Sequence, residues 1–117
     1  MPARMPVVFV PHGGGPWPFV EMGFPPDDVA RLTGYLRSVR RVPPEPPRAL
    51  LVVSAHWEAP VPTVMTSEHP PMLDDYYGFP PEAYALTWPA PGAPALAERT
   101  QDLLAAAEFS PATDPDR

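Results

Sequence analysis

Two histidines stand directly behind short apolar runs, and this repeated placement is the strongest chemical signal in the chain. His12 follows "MPVVFVP" and opens "HGGGP", while His56 follows "ALLVVSA" and opens "HWE". Imidazole is a neutral nitrogen ligand for Zn(II) or Fe(II) and an acid or base near neutral pH. If both runs are parallel strands, the two rings leave the sheet at its carboxyl edge, where open α/β folds bind ligands. Two imidazoles converging there form part of a metal site, and the glycines let the backbone pass close to the ion and its substrate.

A metal site needs at least three protein ligands. Candidates for the third are Glu58, His69, Asp74 and Asp75, or a residue outside these 117. The chain contains no cysteine, which excludes thiolate zinc sites, disulfides and cysteine nucleophiles. "HWE" matches the H-x-E element of nucleobase deaminases, but that zinc site also requires P-C-x-x-C.

Three consecutive glycines suggest other chemistries, which the neighbouring residues remove. A dinucleotide fingerprint needs a glycine where Pro18 stands and a helix that starts at once, whereas the helical pattern begins near residue 27. A Walker loop needs a Gly-Lys-Ser/Thr that does not follow. "HGGG" is also the type of loop that supplies oxyanion-hole amides in some α/β-hydrolases. Yet none of Ser38, Ser54, Ser67 or Ser110 sits in the G-x-S-x-G elbow that such an enzyme requires. The hydrolase therefore survives as an alternative only with a nucleophile supplied from elsewhere.

The elements that must position these residues follow from periodicity. Residues 5–10 and 49–54 are continuous apolar runs rich in β-branched residues, the pattern of central parallel strands covered on both faces. Between them, Val29, Leu32, Leu36 and Val39 predict a helix over 27–41. Asp27 or Asp28 is expected to cap its start, and "PPEPP" at 43–47 to stop it. Residues 61–66 predict another strand, near an edge because Pro62 cannot donate to a ladder. Residues 93–109 predict a second helix with Pro94 in its first turn, and no strand is expected after it.

The long segment 67–92, crowded with prolines and aromatics, predicts a functional loop. Within it Asp74, Asp75, Tyr76 and Tyr77 suit a pocket, whereas Tyr84, Leu86 and Trp88 read as packing. The expected fold is α/β, a mostly parallel sheet with flanking helices. It is incomplete, the N-terminal portion of a larger domain, because so few strands and helices leave apolar surface open.

Composition narrows the partners. The net charge is −6, and the eight basic residues are all arginine. Nucleic acid, whose binding rests on cationic contacts, is not an expected partner. The N-terminus carries neither a leader pattern nor a membrane-length apolar run, so a soluble cytoplasmic chain without membrane contact is expected. The 22 prolines lie between apolar segments and aromatics, and so read as stiff loops rather than disorder.

"PHGGGP", "VVSAHWE" and "DDYYGFPPEAYALTWPAPG" occur together in this order, and in this the chain resembles the class III extradiol ring-cleavage dioxygenases, in the branch similar to DOPA 4,5-dioxygenase. The resemblance covers nearly the whole chain, so residues 1–117 are expected to be the N-terminal part of one such catalytic domain. It implies a non-haem Fe(II) enzyme, zinc in some relatives, that opens a catechol ring with O2. His12 and His56 match two metal ligands of the family. Gly14, Asp74, Asp75 and Tyr77 are then the candidate substrate-binding residues. The resemblance places the remaining ligand, and the histidine that acts as acid or base, beyond residue 117. Ring opening by the isolated chain is therefore not expected. The expected partner is the rest of the domain as a second chain, or another copy of this one. A truncated or regulatory subunit without chemistry is the alternative within the same fold.

Overall fold

Both helices open on a proline and lack a side-chain hydrogen bond at the cap. In the computed structural model, which describes residues 4–117, α1 spans Pro26–Val39 and α2 spans Pro94–Ala106. Each has proline in its first turn, where the missing amide would have had no helical acceptor. Asp27 and Asp28 were expected to cap α1. Pro25 occupies the cap instead, its carbonyl accepting from the Asp28 and Val29 amides, both at 3.1 Å. The two aspartates lie in the first turn, where their charge favours the positive helix end.

The chain divides into two compact units, the first comprising Met1–Leu50 and Tyr76–Leu86, the second Leu51–Asp75 and Thr87–Arg117. In the first, Val29, Leu32, Leu36 and Val39 form the half-buried face of α1, as their spacing predicts. That face meets the loop after His12, where Pro18 and Phe19 line a shallow pocket with Thr33, Leu36 and Arg37. A 3-10 helix, Pro81–Ala85, completes this unit and buries Ala83 entirely.

In the second unit β1, Thr63–Met65, pairs in parallel with β2, Ala112–Asp114, with Thr63 opposite Ala112 and Met65 opposite Asp114. α2 connects the two strands and packs on β1. β1 starts right after Pro62, which donates nothing but accepts the Ala112 amide at 2.9 Å. Beyond the ladder the Thr66 amide reaches the Asp114 carbonyl and the Ser67 amide the Arg117 carbonyl, both at 3.0 Å. The expectation that no strand follows the second helix is thus corrected: "ATD" is too short to show a period, and its pairing with β1 is what makes it a strand.

Residues 5–10 and 49–54 form no ladder among the described residues, contrary to the reading of both as central strands. Apolar runs become strands only when neighbours satisfy their amides and cover their faces. Here Val7, Phe9 and Val53 are more than nine-tenths exposed. Among the described residues only Pro16, Val20, Ala83 and Ala97 are buried. A 12.8 kDa protein that closes its own core exposes about 6,300 Å²; this chain exposes 9617 Å². The architecture is a small α/β one with its core left open. No described helix is long and apolar enough to cross a membrane.

α2 ends on a left-handed residue. Glu108 has φ 68°, its amide donates to the Ala105 carbonyl at 3.0 Å, and the Phe109 amide donates to the Leu104 carbonyl at 3.0 Å. This is the Schellman closure, which favours glycine at the position Glu108 holds. Glu108→Gly is expected to stabilise the end of α2 by about 0.5–1 kcal/mol. Slower hydrogen exchange of the Ala107, Glu108 and Phe109 amides, relative to the unchanged chain, is the readout; equal or faster exchange refutes it.

Candidate metal centre

His12 stands in the first unit, exposed at the head of a loop that folds twice on itself. The Trp17 amide donates to the Gly14 carbonyl at 3.2 Å, the Phe19 amide to the Pro16 carbonyl at 2.8 Å, and the Trp17–Pro18 bond is cis. The first and third glycines are fixed by what lies against them. Gly13, at φ 77°, faces the Trp17 ring, whose Cε3 would lie 2.5 Å from an added Cβ, with Leu32 of α1 at 3.0 Å. Gly15, at φ 51°, faces the Phe79 ring, with Cζ 2.7 Å from an added Cβ. A side chain at either position meets both a left-handed backbone and an occupied volume. Among the described residues, nothing lies within 4 Å of the corresponding position on Gly14. Of the three, Gly14 is the one that opens outward.

Phe79 is itself braced by aromatic neighbours in the same unit. Its ring meets Tyr76 edge-on at 5.2 Å, and Tyr76 lies 5.4 Å from Tyr84. The Tyr76 hydroxyl donates to the Ala83 carbonyl at 2.8 Å, and the Tyr84 hydroxyl to the Tyr76 carbonyl at 3.5 Å. Tyr76, Phe79 and Tyr84 therefore form a knot of rings behind the His12 loop. Tyr77, in contrast, is 91% exposed. Tyr76 was read with Tyr77 as a pocket residue; its half-buried hydroxyl is instead engaged in holding the knot.

His56 stands in the second unit together with Glu58, His69, Asp74 and Asp75, all exposed. Its amide donates to the Ser54 hydroxyl at 3.1 Å, and the His69 amide donates to the Ser67 hydroxyl at the same distance. Both are serine turns of the pattern S-x-H, a local signal present in the sequence. His56 Nδ1 lies 3.2 Å from Asp75 Oδ2, with the two side chains 59% and 53% exposed. Beside it, the Arg117 guanidinium sits over the Trp57 ring at 5.1 Å and within 3.4 Å of Asp114.

Of the candidate residues, the structure thus brings His56 and Asp75 together within the second unit, while His12, Gly14 and Tyr77 belong to the first. Among the described residues, no three His, Asp or Glu side chains gather into a set that could hold a metal ion. The donor types at His56 are nevertheless those of a metal-binding histidine and its partner. A carboxylate at the second nitrogen of an imidazole is the arrangement by which metal-binding histidines are held, and Asp75 stands in that position at His56. Residues that the sequence reading did not place are Phe79 as the wall of Gly15 and Ser54 as the pin of the His56 backbone.

No family model matches the chain. Similar curated proteins do exist. A dioxygenase named tasH from Hapsidospora irregularis is 36% identical over 94 residues, covering 79% of this chain and 29% of that protein. A protein named 4,5-DOPA dioxygenase extradiol from Portulaca grandiflora is 42% identical over 81 residues, covering 69% of this chain and 29% of its own length. One of the same name from Escherichia coli is 39% identical over 104 residues, 87% of this chain and 34% of its own length. The chain spans about a third of the length of the curated relatives it matches.

The glycine geometry makes a direct prediction. Gly13→Ala and Gly15→Ala should each destabilise the first unit by about 2 kcal/mol or more, from left-handed strain and ring overlap together. Gly14→Ala should stay within about 0.5 kcal/mol. Urea unfolding of the three variants decides it, and equal costs at all three positions would show that the rings do not set the loop.

Proposed function

We propose that this chain, a relative of the extradiol dioxygenases, carries part of the active site of an enzyme that opens a catechol-type ring with O2. The observation that carries this reading is the similarity to proteins named extradiol dioxygenases over a stretch that contains most of the chain. The names of these relatives also favour ring opening over the ester hydrolysis that "HGGG" by itself allows.

In this reading His12 and His56 supply two neutral imidazole donors for Fe(II) or Zn(II). Bound there, the ion supplies positive charge that favours the ionised form of a catechol hydroxyl, and iron supplies in addition the redox capacity that O2 chemistry needs. The chain's own contribution is position. Phe79 and Trp17 fix the glycines on either side of Gly14, so the backbone at Gly14 offers a surface that a flat ring can approach closely. Asp74 and Tyr77 are polar groups able to orient the catechol hydroxyls, and the Asp74 carboxylate can accept a proton as the substrate binds. The third ligand and the acid or base histidine come from polypeptide outside these residues, in the same chain or in a partner.

Two measurements test the reading. Zn(II) titrated onto the chain against a chromophoric chelator should bind, with His12→Ala and His56→Ala each weakening it about tenfold or more; unchanged binding in both variants removes them as ligands. O2 uptake by the Fe(II)-loaded chain with a panel of catechols should be absent, because the site is partial. Robust metal-dependent turnover would show that these residues suffice.

A further inference from the structure

We propose that Asp75 is the positioning residue of His56: its Oδ2, 3.2 Å from His56 Nδ1, accepts that nitrogen's proton and makes Nε2 the ligating atom. The inference rests on the reading of His56 as a metal ligand and gives Asp75 a role different from substrate binding.

A neutral imidazole carries one proton, so one nitrogen donates while the other keeps the lone pair a metal requires. Which nitrogen does which is set by the partner of the protonated one. Asp75 presents an acceptor to Nδ1, and a carboxylate is the strongest acceptor a side chain offers. The backbone is also held, because the His56 amide donates to Ser54 Oγ at 3.1 Å. With the main chain pinned by Ser54, the freedom left to His56 is rotation about its two side-chain bonds, and a carboxylate at Nδ1 restricts both. The pair is more than half exposed, so its attraction contributes little to fold stability. Its effect is on tautomer and orientation, which makes the role separable from folding.

The experiment uses the full chain with 15N-labelled histidine, free of metal and at about pH 8.5, well above the ordinary imidazole range. Long-range 1H–15N correlation reads which nitrogen of His56 bears the proton. The expected result is Nδ1–H in the unchanged chain, a shift towards Nε2–H in Asp75→Ala, and retention of Nδ1–H in Asp75→Asn, whose amide oxygen still accepts. Asp74→Ala should leave the His56 tautomer as it is. In parallel, Zn(II) titration should show affinity about 10- to 100-fold weaker in Asp75→Ala, with Asp75→Asn restoring much of the loss. Nε2–H in the unchanged chain, or a tautomer indifferent to Asp75→Ala, overturns the proposal whatever the metal does. So does weakened Zn(II) binding without a tautomer change. Should the tautomer respond as expected while His56→Ala binds Zn(II) as tightly as the unchanged chain, the metal reading fails and the ligand assignment of Nε2 with it.

Discussion

The Phe79 ring fills the volume that a side chain on Gly15 would need, and the organisation of the first unit follows from that contact. The ring cannot move away, because Tyr76 and Tyr84 stand behind it and the Tyr76 hydroxyl is tied to the Ala83 carbonyl. The loop cannot move away either, because Trp17 and Leu32 close on Gly13 from the other side. A loop of three glycines, which alone would be the most mobile backbone in the chain, is clamped at its first and third residues. Of the three, the middle glycine is the one with open space at its side-chain position among the described residues.

The second unit uses a different economy. Its β-α-β crossover is built on three-residue strands, so hydrogen bonds beyond the ladder, from Pro62 to Ser67, carry as much of the register as the strands do. The same device recurs where serine hydroxyls hold the His56 and His69 amides. Short polar contacts substitute here for the buried apolar layers that a larger sheet would provide.

The helices were legible in the sequence because their information is local: spacings of three and four on α1, and proline at the first turn of α2, act within one or two turns. Of the strands, the one expected at 61–66 was legible and is β1; the others were not, since pairing is a property of two distant segments. "MPVVFV" and "ALLVVS" carry the composition of central strands yet stand unpaired among the described residues, while the unremarkable "ATD" is paired. The candidate site was legible in the same uneven way. Residue type and spacing singled out His12, His56, Asp74 and Asp75, but not which carboxylate meets which imidazole, and not that Phe79 rather than a substrate occupies the flank of Gly15. Side-chain contacts of that kind depend on turns, such as S-x-H, whose effect is to aim rather than to bury.

The two bare apolar runs have a consequence for how such a chain behaves at high concentration. An exposed, β-branched segment that joins no ladder among the described residues and carries no charge of its own is a template on which a similar edge can zip. Proline at residues 6 and 11 interrupts the first run at both ends, and Arg48 stands at the head of the second; these are the gatekeepers that shorten the sticky length. The colloidal fate of the chain is thus decided by a handful of residues at the borders of those runs, while the net negative charge of the remainder keeps copies apart.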